Sequence, residues 1–152
     1  MKKINLWGLW IATILIVLIS AIQALSGHWV TFFLLWPGGP DYGNTFIQAM
    51  LALGTYHRIG GWITGGLSVV ILYFAFFSGS SIYTRISAVV GFIMTVLAAW
   101  GGYLYVTSSF GDRMSLGQMA DAAVGVTGVY LIQLFFMNKT PRFPWVKHSA
   151  EV

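Results

Sequence analysis

His57 and Arg58 stand side by side in the stretch Tyr56-His57-Arg58-Ile59-Gly60-Gly61, inside a long apolar segment. An imidazole can act as a neutral nitrogen ligand or a proton acceptor. A guanidinium presents paired donors that match a carboxylate. Ionisable groups at membrane depth are costly and mark functional positions. The sequence holds 3 histidines, and His57 is the one well inside an apolar segment.

Asp121 lies about five residues, or ~8 Å at 1.5 Å per residue, into the last apolar segment. Its depth can match that of His57. A lone carboxylate there is costly or protonated. The expectation is therefore that Asp121 pairs with Arg58 or accepts a hydrogen bond from His57. Two readings follow. One is an ion pair that fixes helix register. The other is a polar pocket for a cofactor or quinone, lined also by Gln118, Tyr56, Tyr103 and Gln48. His28, at the end of the first apolar segment, is either a second axial ligand or a surface histidine. His148 falls in the polar tail and is read as solvated. Gln23 needs a polar partner and is placed towards the interior of the assembly of helices, whereas Gln133 is placed at the membrane interface. No Ser/His/Asp, phosphate-cradling or zinc pattern is present, and Gly60-Gly61 and Gly65-Gly66 sit in apolar helical context, not in a nucleotide loop.

These residues must be positioned by elements that live in lipid. The chain has 152 residues, of which 57% are hydrophobic and 8% charged, against roughly 25% charged in soluble domains. So few charges cannot solvate a globular surface. The net charge of +4 comes without a polar basic face and does not suggest nucleic-acid binding. Cysteine is absent, which excludes disulfides, thiolate metal sites and cysteine nucleophiles. Nothing splits the chain, so residues 1–152 are read as a single domain. The apolar run that follows Met1-Lys2-Lys3 is longer than the 7–15 residues of a signal-peptide core and reads as a transmembrane helix.

Four segments are long enough to cross about 30 Å of hydrocarbon, which needs about 20 residues: roughly 5–26, 50–77, 85–107 and 116–137. Residues 46–52 form a possible interfacial lead-in to the second. The first connection, about 27–45, carries the turn formers Gly27, Pro37-Gly38-Gly39-Pro40 and Asp41-Tyr42-Gly43-Asn44, and its aromatic part from Trp29 to Trp36 is expected on the membrane surface. Ser78-Gly79-Ser80-Ser81 is a tight turn, and Ser108 to Ser115 a short polar one. Lys2, Lys3, Arg85, Lys139, Arg142 and Lys147 fall on one side, Arg58 and Arg113 towards the other. The positive-inside rule then puts both termini in the cytoplasm and the long first loop outside. Backbone polar groups must be satisfied within the lipid, so the expected fold class is all-α, an integral membrane four-helix bundle. Gly54, His57, Arg58, Gly61, Gly65 and Ser68 form one stripe of the second helix, with Gly61-x-x-x-Gly65 open to a close neighbour. Gly117, Gln118, Asp121, Gly125 and Gly128 form a similar stripe on the fourth.

The order of these features resembles the haem A synthase family, built from four-helix halves with a His-Arg pair at the outer end of the second helix. Gly54-Thr55-Tyr56-His57-Arg58-Ile59-Gly60-Gly61 is similar to that motif, Trp36-Pro37 falls in the equivalent long loop, and Trp100-Gly101-Gly102-Tyr103-Leu104-Tyr105-Val106 is similar to the Gly-rich end of the third helix. The resemblance implies a half-length, four-helix unit in a respiratory plasma membrane. It also implies haem ligation by His57, with Arg58 near a propionate. The chain departs from the pattern in three places: Gly54 replaces the acidic residue of the motif, the loop cysteines are absent, and Gln118 or Asp121 stands about where the fourth-helix histidine falls. A second ligand would be His28, a methionine such as Met119, or none. Together these features point to an accessory or assembly protein of a terminal-oxidase-type complex, more in keeping with a non-enzymatic role than with haem A synthase catalysis, and partnered by other membrane subunits in a homo- or hetero-oligomer. The alternatives are a purely structural transmembrane subunit and a quinone-binding subunit that uses His57 and Asp121 for proton transfer.

Overall fold

The computed structural model describes residues 2–34, 44–107 and 113–138. Four helices account for the described residues apart from the turn between the second and third: α1 (Lys2–Leu34), α2 (Asn44–Phe77), α3 (Ile82–Thr107) and α4 (Arg113–Asn138). Each contains a span long and apolar enough to cross a membrane: Leu6–Gly27, Gly54–Phe77, Ile82–Tyr105 and Gly117–Met137. This is the all-α, multi-pass bundle expected from the sequence. Helices adjacent in sequence pack together and α4 returns to α1, so α1 faces α3, and α2 faces α4, only across the diagonal.

The first connection is shorter than the turn formers suggest. α1 runs through Gly27 and His28 to Leu34, and α2 starts at Asn44, so the lead-in at 46–52 belongs to a continuous helix. The residues after Gly27 are mostly apolar or aromatic with no proline before Pro37, and one glycine in a helix costs only about 1 kcal/mol. With 33 residues, α1 is ~50 Å long at 1.5 Å per residue and exceeds the hydrocarbon thickness. Pro37 to Gly43 fall outside the described residues, as does His148.

The tight turn is formed as expected. Gly79 takes φ 72°, a left-handed conformation that suits glycine at a helix C-terminus. The Ser80 hydroxyl donates to the Ala75 carbonyl at 2.5 Å, and Ser81 Oγ accepts from the Thr84 amide at 3.2 Å, capping α3.

The interior is small and partly polar. Leu9, Ile16, Ile71, Ala75, Ala88, Val126, Tyr130 and Met137 form its apolar cluster. Thr13, Ser20, Thr64, Ser68, Thr95 and Gln133 are buried beside them. Large apolar side chains such as Leu18, Ile22, Trp62, Tyr73, Ile93 and Phe135 face outward. That arrangement suits lipid, where the outside can be as apolar as any core and polar groups gain by turning inward. Hydroxyls inside the bundle return a bond to their own helix: Thr13 to the Leu9 carbonyl (2.7 Å), Thr64 to Gly60 (2.9 Å) and Thr95 to Gly91 (2.8 Å). Hydrogen bonds tie α4 to α1 from Gln133 Nε2 to Thr13 Oγ1 (3.1 Å), from Thr127 Oγ1 to Ser20 Oγ (2.9 Å) and from Thr13 Oγ1 to Met137 Sδ (3.9 Å). Gln133 is thus fully buried, not at the membrane interface as expected. It shares a face of α4 with Val126, Tyr130 and Met137, and that face is turned to α1 and α3.

Candidate ligand site where α1 meets α2

His57 enters the bundle from the first turns of the second span and turns towards α1. The buried stripe of α2 is Gly60, Thr64, Ser68, Ile71 and Ala75. His57 lies on that stripe one turn before Gly60, so its ring is carried to the α1–α2 contact and half-buried there. Its Nδ1 is 3.4 Å from Ser26 Oγ. A Cβ built on Gly27 would lie 3.4 Å from the ring carbon Cε1, so the ring rests against bare α1 backbone.

Gln23 closes the site from below. Its Nε2 donates to the His57 carbonyl at 2.9 Å, and its Oε1 accepts from Thr64 Oγ1 at 2.8 Å. The amide lies flat on Gly60, where a Cβ would come within 3.0 Å of Nε2. The expectation that Gln23 faces inward and finds a partner holds, and both partners lie on α2. Ser26 completes the chain of bonds, because its hydroxyl donates to the Gln23 carbonyl at 3.0 Å. That donation spends the only Ser26 hydrogen. The oxygen facing His57 is left as an acceptor, which favours a proton on Nδ1 and an open lone pair on Nε2. No hydrogen bond to Nε2 occurs among the described residues. The set can therefore offer one oriented, neutral imidazole nitrogen.

The other expected members whose side chains are described do not join it. Arg58, the next residue round the helix, is exposed, and Tyr56 and Tyr103 are exposed as well. Gln118 and Asp121 are exposed on α4, whose buried face is Ala122, Val126, Tyr130, Gln133 and Met137. Among the described residues Asp121 pairs with neither Arg58 nor His57, because α2 and α4 are diagonal and Asp121 points away from the interior. Met119 packs on Gly102 of α3, with a built Cβ 3.3 Å from its sulfur, and so belongs to the α3–α4 contact. The backbone of His28 is helical and next to Gly27, but its side chain, like that of Gln48, lies outside the described residues. No group of three or more His, Cys, Asp or Glu able to hold a metal ion occurs among the described residues.

The glycine pattern also needs correcting. Gly61 approaches Gln23 Nε2 only to 3.6 Å for a built Cβ, and Gly65 has nothing within 4 Å. The close approach of α1 is made at Gly60. The packed stripe is rotated by about one residue from the stripe read in the sequence, and His57 and Ser68 are common to both. Ser26 and Thr64 were missed. Their signal was present: Thr64 follows His57 by seven residues, two turns on one face, and Ser26 follows Gln23 by three.

No protein-family model matches this chain, and neither a curated protein nor a solved structure does.

Proposed function

We propose that this protein is a non-catalytic accessory or assembly subunit of a respiratory-type membrane complex, of the terminal-oxidase kind, and that His57 supplies an axial ligand to a haem. The observation that carries the reading is the setting of one imidazole: Nδ1 lies 3.4 Å from Ser26 Oγ, whose hydrogen is donated to the Gln23 carbonyl, and no hydrogen bond to Nε2 occurs among the described residues. A ligating histidine is held in this way, its second nitrogen bonded to an oxygen that fixes tautomer and ring plane. The resemblance of the His57-Arg58 stretch to the haem A synthase motif supports the same assignment. A bound haem would supply one-electron chemistry. The chain's own part is to orient the ring through Ser26, to hold the α1–α2 contact through Gln23 and Thr64, and to offer Arg58 at the exposed edge for a propionate. A second ligand from this chain would be His28, or none.

In this reading the protein sits in the plasma membrane with both termini cytoplasmic, as the distribution of lysine and arginine indicates. The broad apolar faces of α2 and α3 are available to other subunits. A quinone site built on His57 and Asp121 is disfavoured by the outward direction of Asp121.

The test is a reduced-minus-oxidised visible spectrum of the protein purified in mild detergent. A b-type band that disappears in His57→Ala supports the assignment. A featureless spectrum from folded protein, unchanged after incubation with haem, removes it and leaves a purely structural subunit.

A further inference from the structure

Gln23, Ser26 and Gly27 fall on one face of α1 at three- and four-residue steps, and each meets α2. Gln23 lies on Gly60 and bonds the His57 carbonyl and the Thr64 hydroxyl. Ser26 Oγ lies 3.4 Å from His57 Nδ1, and Gly27 backs the ring. The two helices are therefore spaced at this level by the seat of Gln23 on Gly60, and the distance from Ser26 to His57 follows from that spacing.

The seat is close-fitting. A Cβ built on Gly60 would lie 3.0 Å from Gln23 Nε2, 3.1 Å from Cγ and 3.2 Å from Cδ. It meets three atoms along the side chain and not only the tip, so turning the amide does not make room for a methyl group. Either α1 backs away by a few tenths of an ångström, or Gln23 swings off and gives up its bonds to the His57 carbonyl and Thr64. Both outcomes reach the ring. The 3.4 Å from Ser26 Oγ to Nδ1 is at the long end of a hydrogen bond, and a few tenths of an ångström more breaks it. Without that acceptor a neutral imidazole carries its proton on either nitrogen. Gly61, one residue on, is exposed, and a Cβ there would stand 3.6 Å from Gln23 Nε2, an ordinary contact.

We propose that Gly60 is a positioning residue for His57. By seating the Gln23 side chain it holds α1 close enough for Ser26 to keep the proton on Nδ1, with the lone pair of Nε2 available. It lies three residues from His57 and acts through Gln23. Its effect on the tautomer stands on the geometry alone; its effect on haem affinity rests on the function proposed above.

Nitrogen NMR of haem-free protein with isotope-labelled histidine, at a pH where the ring is neutral, reads the tautomer directly. The His57 signals are those that disappear in His57→Ala. The native protein and Gly61→Ala should show a proton on Nδ1, and Gly60→Ala should show a mixture or a proton on Nε2. In a Gln23→Ala background the seat is empty, so Gly60→Ala should add no further change. Gln23→Leu keeps the bulk on Gly60 and drops both bonds; it should move the same signal, and it serves if Gly60→Ala does not fold. In a haem titration Gly60→Ala should weaken binding by about tenfold, the lower end for loss of support to a ligating histidine. A native ring without the Nδ1 proton, a folded Gly60→Ala protein that keeps it, or a further shift in the Gln23→Ala background would each overturn the proposal, whether or not haem binds. A native protein that holds the Nδ1 proton, loses it in Gly60→Ala and takes up no haem removes the haem assignment and leaves the role of Gly60 standing.

Discussion

Gln23 and Gln133 are two glutamines in one bundle, and the structure gives opposite expectations for replacing them. Gln23→Leu keeps the volume and removes two bonds between helices, one to the His57 carbonyl and one from Thr64. Neither partner is orphaned. The His57 carbonyl lies within α2 and keeps its helical amide, and the Thr64 hydroxyl keeps the Gly60 carbonyl at 2.9 Å. The loss is therefore the pair terms alone, ~0.6 kcal/mol each with a ceiling near 1.7, or about 1–2 kcal/mol together. Gln133 is more deeply buried, yet half of its amide is wasted. Nε2 donates to Thr13, but the buried Oε1 has no hydrogen-bond partner. An orphaned buried acceptor costs about 1–3 kcal/mol. Gln133→Leu removes that cost together with two bonds, to Thr13 Oγ1 and at 3.9 Å to Met137 Sδ, of at most about 0.6 kcal/mol each, while Thr13 keeps the Leu9 carbonyl. The expected result is a neutral or more stable protein, by up to about 2 kcal/mol.

Unfolding free energies from SDS titration in mixed micelles, followed by tryptophan fluorescence, measure both changes. The order matters more than the values. If burial governed the outcome, Gln133→Leu would be the more damaging substitution. Finding it so would refute the reasoning that satisfied bonds, not depth, set the worth of polar groups in this bundle.

Gly91 lies under the Tyr130 ring, where a Cβ would come within 2.6 Å of Cζ; Gly91→Ala should destabilise by about 1–2 kcal/mol through overpacking, while Gly66→Ala, in open space, should be neutral in the same titration. Gly79→Ala puts a Cβ on a left-handed residue and Ser81→Ala removes the cap of α3, and each should cost about 1 kcal/mol, read as a lower unfolding midpoint. If His57 ligates haem, Ser26→Ala should weaken haem binding by roughly 10–100-fold in a spectroscopic titration, with little effect on folding; unchanged affinity would separate Ser26 from the role assigned to it. Reporter fusions at either terminus should report the cytoplasm, and a periplasmic or external readout from either would reverse the orientation inferred from the positive charges.

The transmembrane plan was legible because it rests on sums over many residues. Span lengths, the turn at Ser78-Gly79-Ser80-Ser81 and the all-helical class each follow from lipid thickness, backbone satisfaction and turn chemistry. The site was legible only as far as His57 and Gln23. Rotation about a helix axis was the missing quantity. Gly61 and Gly60 differ by one residue, or about 100°, and in a helix that is apolar on every side no polar face marks which of them is inward. Small residues gave no guide either, since Gly60 packs closely while Gly65 stands open. Direction was not readable, so Arg58 and Asp121 were turned towards each other, whereas both are exposed on diagonal helices. The order of packing decides direction. With four helices arranged in sequence around a ring, α2 and α4 are held apart by α1 and α3, and opposite charges on diagonal helices face different neighbours.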